Sequence, residues 1–253
     1  MTLEVLQKRT SIEEARKILC RRGLSFTSSW WRRFWRKLGI SNEIEIGDNL
    51  KSWDVLKTVS FIENNIPRTE PILDIGAFAS EILCILHHLK YSNLTGIDLC
   101  QDIKKMSYRE YVHYEVANFM HTPFADGAFG VITAISVIEH GFKSNLLLAE
   151  VSRLLRPGGY FIASFDYWPE KVNTSGISFF GMDWRIFSKQ EVCEFLDDAA
   201  THRLCSSGTM DMDAQERPIS CAKRDYTFAW LALRKQGSAN PLETMASTLS
   251  TAR

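Results

Sequence analysis

A glycine and an aspartate stand at the ends of two successive apolar runs near the middle of the chain. Gly76 follows the run Ile72–Ile75, and Asp98 ends the next run, Leu94–Asp98. A glycine after a strand lets the backbone turn sharply and approach a ligand closely. An acidic residue at the end of the next strand accepts hydrogen bonds from ribose hydroxyls. This pair, one β-α-β step apart, predicts a nucleotide-cofactor site; the alternative is that Asp74 and Asp98 only cap strand ends.

A glutamate and a histidine follow a later apolar run. Glu139 and His140 come after the predicted strand Val131–Ile135, and open α/β sheets bind ligands at the carboxyl ends of their strands. An imidazole pKa of about 6.5 suits proton transfer at neutral pH. His140 is therefore the first candidate for a general base and Glu139 the second, against the alternatives of a capping or surface histidine and a polar strand end. Asp166 and Tyr167, after the next strand, are weaker candidates by position.

The elements that must position these residues alternate between strand and helix patterns. A helix over 49–65 leads into the core, and Ser188 with Glu191 forms a predicted capping box at a later helix start. Strands that alternate with helices predict β-α-β units and a mostly parallel sheet. The predicted strands are 72–75, 94–98, 113–117, 131–135, 160–165 and 226–233, and the predicted helices after the first strand are 79–90, 145–155 and 188–199.

The first 40 residues carry ten Lys and Arg against three Asp and Glu, whereas the remainder carries twenty against twenty-seven. Two short helices are predicted here, the first with Ser11 as N-cap and Glu14 as its capping-box partner, and with Gly23 at its end. The basic and aromatic run Trp30–Lys37 follows. We weigh an anionic membrane surface, met through residues 25–40, against a cap over the substrate site and a solvated helical face.

The chain as a whole has the length of one large domain with a small appendage. The predicted division is an N-terminal arm over 1–48, a main domain over 49–235 and a disordered tail over 236–253. Six cysteines without a Cys-x-x-Cys pair predict no metal site and a reducing, cytoplasmic compartment. No signal-peptide pattern and no bilayer-length apolar run is present. Nucleic-acid binding is disfavoured because the body is acidic and no such module is visible.

An aromatic and glycine-containing segment follows the fifth predicted strand. Residues 175–185 contain Phe179, Phe180 and Gly181, with Trp184 at the end and Trp168 just before the segment. Glycines for movement and aromatic rings for apolar grip predict a lid over the active site. A plain loop buried by its aromatic side chains is the alternative.

Three further motifs stand in register with the glycine–aspartate pair. They are Pro123-Phe124-Ala125-Asp126-Gly127-Ala128-Phe129, Val137-Ile138-Glu139-His140 and Leu155-Arg156-Pro157-Gly158-Gly159. In this order, over residues 50–235, they resemble class I S-adenosylmethionine-dependent methyltransferases, in particular the type 11-like group with small-molecule substrates.

The resemblance implies a fold, a cofactor and roles for matching residues. The fold would be a Rossmann-like, doubly wound, mostly parallel seven-stranded sheet whose last strand is antiparallel, and the N-terminal helical arm would be added to it. The implied cofactor is S-adenosylmethionine. Its methionine end would be lined by Asp74 and Gly76 with Ala77 and Ser80, its ribose held by Asp98, its adenine met by Leu99, Asn118 and Phe119, and the sulfonium side closed by Ile135 and Ser136.

The sequence departs from this family after the first strand. Phe78 and Ser80 replace two usual glycines, Asn118 stands where an aspartate is common, and Gly130 stands where another is common. Phe78 could crowd the cofactor, while Ser80 could offer a hydroxyl at the helix start. The leading hypothesis is methyl transfer to a small molecule such as a sugar, a natural product or a lipid precursor. The alternatives are an inactive binding protein of the same fold and a nicotinamide-dependent oxidoreductase, although its Gly-x-Gly-x-x-Gly signature is absent.

Overall fold

The computed structural model describes residues 3–27, 44–141, 143–206 and 208–237. Within these ranges five α-helices surround a twisted sheet. The helices are α1 (Arg9–Arg21), α2 (Ser52–Asn65), α3 (Ile82–His88), α4 (Ser144–Leu154) and α5 (Lys189–Thr201). The strands are β1 (Leu3–Val5), β2 (Ile72–Ile75), β3 (Leu94–Asp98), β4 (Val112–Val116), β5 (Phe129–Ile135), β6 (Leu155–Tyr167), β7 (Ser178–Phe179), β8 (Met182–Asp183), β9 (Leu204–Ser206), β10 (Ile219–Cys221) and β11 (Arg224–Lys235).

Seven strands form the main path of the sheet, in the order β1-β11-β6-β5-β2-β3-β4. Strands β4, β3, β2, β5 and β6 are parallel, and β11 runs antiparallel to β6. Strands β9 and β10 also pair with β11. The predicted Rossmann-like, mostly parallel sheet with an antiparallel last strand is confirmed.

The strand order reverses at β2, which lies between β3 and β5. Doubly wound sheets bind ligands in the crevice that this reversal opens beyond the carboxyl ends of the strands. The loops after β2, β3, β5 and β6 meet at that edge, so the fold brings the predicted cofactor and catalytic residues to one place.

The core lies on both faces of the sheet because successive strand residues point to opposite sides. Leu73 and Ile75 of β2 join a cluster with the apolar faces of α4 and α5, while Ile72 joins a second cluster with α1, α2 and α3. The alternation along β2 thus explains why this strand is buried over its whole length.

The N-terminal arm differs from the prediction of two helices. Residues 3–5 form a strand that pairs antiparallel with β11, and α1 begins at Arg9 with Lys8 as its N-cap. The predicted capping box of Ser11 and Glu14 is therefore wrong, because the helix starts before Ser11. The strand was missed because three residues are too few to show an alternating pattern.

Gly23 ends α1 as predicted, at φ 68°, with its N–H bound to the Cys20 carbonyl at 3.0 Å. The capping box at α5 is also confirmed: Ser188 accepts from the backbone N–H of Glu191, whose carboxylate accepts from the N–H of Ser188 at 2.9 Å. Both features depend on neighbouring residues alone, which is why the sequence revealed them.

Two other boundaries moved. The helix expected over 79–90 is shorter because Ala79 lies at φ 61°, outside the helical region. The turn expected at Pro157-Gly158-Gly159 lies inside β6, which starts at Leu155 and pairs with β5 through a register shift between Phe129 and Val131.

Some predictions fall outside the described residues. The second N-terminal helix, the basic and aromatic run Trp30–Lys37 with most of its proposed membrane contact, and nearly all of the tail over 236–253 lie there. The division at residue 48 stays a prediction, although residues 3–27 pack against the sheet and α2. Among the described residues, no helix is long and apolar enough to cross a membrane.

Candidate functional site

The turn after β2 requires glycine for two separate reasons. Gly76 lies at φ 72°, in the left-handed region that other residues adopt only with strain. A β-carbon there would also stand 2.4 Å from Cγ2 of Val137, in the loop after β5. The N–H groups of Gly76 and Ala77 both donate to the Ile97 carbonyl, at 2.9 and 3.0 Å. The turn is therefore fixed against β3 and comes close to the loop after β5.

Asp98 lies at the end of β3 beside this turn and is only partly buried. Its Oδ2 accepts the N–H of Phe78 at 3.1 Å, and its Oδ1 accepts the N–H of Cys100 at 2.8 Å. Each carboxylate oxygen can accept a further hydrogen bond. Asp98 is thus held by backbone donors and keeps acceptor capacity for a hydroxyl pair.

Asp74 is buried in the same crevice, with only 1% of its surface exposed. Its Oδ1 accepts from the Thr133 hydroxyl at 2.6 Å, and its Oδ2 has no hydrogen-bond partner among the described residues. Burial raises the pKa of Asp74 to about 7, against the opposing effect of the hydrogen bond from Thr133. A nearby cationic ligand would favour its ionised form.

The residues that replace the usual glycines have structural roles. Phe78 is half-buried and packs against the second core cluster. The Ser80 hydroxyl accepts the N–H of Ile82, the first residue of α3, at 3.3 Å, while Glu81 is the N-cap of that helix. Gly130 leaves space for the carboxylate of Glu70, which would lie 1.7 Å from a β-carbon at that position. This contact explains the absence of the usual acidic residue at 130.

The remaining predicted cofactor residues line the rim of the crevice. Leu99 is 52% exposed and Asn118 is exposed, whereas Phe119 is buried in the first core cluster. Ile135 and Ser136 are half-buried at the end of β5, and Ser136 lies at φ 56°. The structure thus brings the predicted cofactor residues to one edge of the sheet, with the Phe119 side chain turned into the core.

An ion pair that the sequence did not reveal joins α1 to the loop before α3. The guanidinium of Arg16 donates to both carboxylate oxygens of Glu81, at 2.6 and 3.1 Å. The N–H of Phe26 also donates to Glu81, at 3.2 Å. The Glu81 side chain is 1% exposed. These partners lie far from Glu81 in sequence, and no local pattern indicates the contact.

Glu139 and His140 lie beyond the end of β5, as predicted. Glu139 is 1% exposed, and its Oε2 has no hydrogen-bond partner in the described part of the chain. Burial raises the pKa of Glu139 well above its ordinary value, and Asp166 adds to the effect. Burial lowers the pKa of His140, although Asp166 opposes the shift. His140 is therefore neutral at neutral pH and suits a general base, whereas Glu139 tends to hold its proton.

Two residues from the N-terminal side join this group, and the sequence analysis missed them. Lys51 Nζ lies 3.7 Å from Oδ1 of Asp166, and Asp54 accepts from the Ser164 hydroxyl at 2.9 Å. Asp54 is fully buried in the first turn of α2, one helical turn before the buried Thr58. The sequence signal that could have indicated Asp54 was an aspartate on the otherwise apolar face of a predicted helix.

The segment 175–185 forms the small hairpin β7–β8, with Phe180 and Gly181 at its tip. Phe180 is 87% exposed, whereas Trp184 is 3% exposed and its indole N–H donates to Oδ2 of Asp166 at 2.7 Å. Tyr167 is buried, and its hydroxyl donates to the Met212 carbonyl at 2.7 Å. One side of the hairpin is thus anchored to Asp166 through Trp184. The role of the hairpin as a lid stays a prediction.

Comparisons with known proteins agree with this geometry. Residues 73–163 match a family model described as "Methyltransferase domain". This segment is a methyltransferase domain. Over this segment the resemblance to methyltransferases stated from the sequence motifs is confirmed.

Individual relatives match the methyltransferase domain over part of their length. An O-methyltransferase of Penicillium expansum is 27% identical over 101 residues, which cover 37% of this chain and 37% of that protein. A phthiotriol/phenolphthiotriol dimycocerosates methyltransferase of Mycobacterium tuberculosis is 33% identical over 90 residues, which cover 34% and 32%. The chain thus spans about a third of the length of these curated relatives.

A solved structure shows the same fold. An S-adenosylmethionine-dependent methyltransferase from Methanosarcina mazei has a TM-score of 0.54 at 16% identity, covering 70% of this chain and 98% of that one. At this identity the likeness concerns the fold. The roles of single residues at this sheet edge are proposals.

Proposed function

We propose that this protein transfers a methyl group from S-adenosylmethionine to a small-molecule acceptor. The observation that carries the proposal is the joined geometry of Gly76 and Asp98. The turn at Gly76 leaves no room for a side chain, and Asp98 presents a carboxylate beside it. A glycine turn at the carboxyl end of β2, next to an acceptor for hydroxyls at the end of β3, suits a nucleoside cofactor.

The residues present fit this cofactor at its methionine end and at its nucleoside end. The buried Oδ2 of Asp74 has no hydrogen-bond partner among the described residues and would face the methionine end with Gly76, Ala77 and Ser80. Asp98 would hold the ribose hydroxyls. Leu99 and Asn118, with the backbone at Phe119, would border the adenine. Ile135 and Ser136 would close the site toward the acceptor.

When bound, S-adenosylmethionine supplies a methyl group that is already activated on a sulfonium. The protein then contributes mainly proximity and orientation. An acceptor that must lose a proton needs a base, and His140 is placed for this role by its lowered pKa and by an Nδ1 that has no partner among the described residues. Glu139 fits a ligand-binding role better, because burial raises the pKa of its carboxyl and one of its oxygens has no hydrogen-bond partner among the described residues.

The acceptor class is supported only in outline. The relatives named above include an O-methyltransferase and a methyltransferase of phthiotriol dimycocerosates, and both names fit small-molecule or lipid-like acceptors. A sugar, a natural product and a lipid precursor all stay open for this chain.

Calorimetric titration with S-adenosylmethionine and S-adenosylhomocysteine tests the proposal. We expect both to bind, and Asp98→Ala to weaken binding by about tenfold or more, because it removes charge-assisted hydrogen bonds. Asp102→Ala is the matched control, since Asp102 is an exposed aspartate that pairs with Lys105 on the surface. Absence of binding to the unmodified protein would contradict the proposal.

A second candidate function is cofactor-independent binding by an inactive protein of this fold. It is favoured only by Phe78 at a usual glycine position. It predicts weak or absent cofactor binding that Phe78→Gly restores. Normal binding by the unmodified chain would exclude it.

A further inference from the structure

The carboxyl group of Glu139 combines burial with incomplete hydrogen bonding. It is buried, and one of its oxygens has no hydrogen-bond donor within reach among the described residues. A buried carboxylate without a partner is strongly unfavourable. Since Glu139 lies next to His140 beyond the end of β5, its unpaired oxygen points to a ligand that completes it.

The charges around Glu139 favour a cation. Asp54 and Asp166 face the same region, and each has one oxygen without a hydrogen-bond partner in the described ranges. Lys51 is the cation that faces them from the 3-10 turn Asn49–Lys51. It is already occupied, since Nζ lies 3.7 Å from Asp166 and 3.5 Å from the ring centre of Phe228. Three carboxyl groups around one lysine attract positive charge and repel anions.

Aromatic rings connect this carboxyl group with the surface. The ring of His140 meets Phe180 and Phe179, with centroids 5.7 and 6.1 Å away. Phe179 meets Trp184 at 5.3 Å, and Trp184 meets Tyr226 at 5.6 Å. Aromatic faces attract organic cations. These rings extend from the exposed hairpin tip to Trp184, whose indole N–H donates to Asp166, so they suit a ligand that carries both an apolar part and a positive charge.

We propose that this end of the crevice binds an organic ammonium group of the acceptor, held by the Glu139 carboxylate and bordered by the aromatic rings of the β7–β8 hairpin. That the ammonium compound is the methyl acceptor rests on the proposed function, whereas the ammonium site itself does not. A neutral hydroxyl ligand is the competing chemistry, and the experiment below separates the two.

The test compares two probes of the same size and apolar part, 2-phenylethylamine and 2-phenylethanol. Each is titrated into the full chain at about pH 8, where an aliphatic amine is charged, and the fluorescence of the tryptophans, which include Trp184, reports binding. We expect the amine to bind at least about tenfold more tightly than the alcohol. A cation beside Glu139 favours the ionised form of this carboxyl, and the amine then forms a charge-assisted hydrogen bond that the alcohol cannot form.

Glu139→Gln keeps the shape of the side chain and removes its charge. We expect this variant to lose the preference, so that the two probes bind within about twofold of each other. Glu110→Gln is the matched control, because Glu110 is exposed and its charge lies outside the crevice; it should keep the preference. Equal binding of both probes to the unmodified chain, no binding of the amine, or a preference that survives in Glu139→Gln would each overturn the proposal.

Titration with S-adenosylhomocysteine on the same samples separates this proposal from the proposed function. Binding of S-adenosylhomocysteine without a preference for the amine would leave methyl transfer standing and remove the ammonium site. A preference for the amine without binding of S-adenosylhomocysteine would do the reverse.

Discussion

The turn after β2 and the loop after β5 lie side by side at the same sheet edge, yet they treat their carboxyl groups differently. Near the β2 turn, Asp98 accepts two backbone N–H groups and Glu81 is held by Arg16. Beyond β5, Glu139 has an oxygen without a partner among the described residues, and burial raises its pKa. On the proposed cofactor side most carboxyl groups have hydrogen-bond or ion-pair partners. On the proposed acceptor side, the Glu139 carboxyl lacks, in the described part of the chain, a partner that a ligand would supply.

Asp74 is the instructive exception on the cofactor side. One of its oxygens is satisfied by Thr133, and the other has no hydrogen-bond partner in the described part of the chain. Burial with incomplete hydrogen bonding raises a carboxyl pKa, and a cationic ligand lowers it again. From the two unpaired oxygens we therefore expect a positively charged ligand group beside Asp74 and another beside Glu139.

Arg16→Met should reduce the free energy of unfolding more than the other substitutions, because it breaks the buried ion pair with Glu81 near the β2 turn. Glu81 would be left buried and uncompensated, which costs about 3 kcal/mol of the free energy of unfolding. Arg22→Met, at the C-cap of the same helix, is the control, since its pair with Glu63 is more exposed and should contribute less than about 1 kcal/mol. Urea denaturation measures both, and similar losses would contradict the assigned difference in burial.

Gly76→Ala should come next. The added β-carbon would lie 2.4 Å from Val137 and would be forced to φ 72°, so we expect a loss of about 2 kcal/mol and weaker cofactor binding. Gly176→Ala separates the two causes, because Gly176 has φ 76° but no atom within 4 Å of a β-carbon. It should show only the conformational strain, about 1 kcal/mol. Equal losses in the two variants would show that the contact with Val137 is unimportant.

Cofactor affinity should depend on pH through Asp74. Its pKa of about 7 in the free protein means that the carboxyl is protonated below that pH and must release its proton to face a cation. The affinity for S-adenosylmethionine should therefore fall by up to about tenfold between pH 8 and pH 6. Calorimetry at several pH values measures this slope, which Asp74→Asn should flatten; an unchanged slope in that variant would assign it to another group.

Glu139→Gln should have the smallest effect on stability, and of the opposite sign. Since the folded pKa of Glu139 lies above its unfolded value, the unfolded chain releases this proton first, and the wild-type protein loses stability as pH rises through that range. The variant should be more stable by about 1 kcal/mol at pH 8 and show no gain near pH 4. Thermal unfolding at both pH values checks this, with Glu110→Gln as the neutral control; a destabilised variant at pH 8 would contradict it.

The local parts of the fold were accessible from the sequence. The bounds of β2 and β3, the capping box at Ser188 and the end of α1 at Gly23 depend on residues close together in the chain. The strand at Leu3–Val5 was not accessible, because its pairing partner lies in β11 at the other end of the described chain. The same distance hid the contact between Arg16 and Glu81.

The sequence by itself determined the order of strands and helices, the turn at Gly76 and the pairing of that turn with Asp98, because periodicity and turn chemistry are written over short stretches. Only the tertiary structure decided that Lys51 and Asp54 join Glu139 and Asp166. The hydrophobic pattern of a sequence indicates which residues are buried, but packing of elements across the sheet determines which residues contact each other. The charge of the proposed acceptor site therefore depends on the fold, whereas the proposed cofactor turn depends on neighbouring residues of the chain.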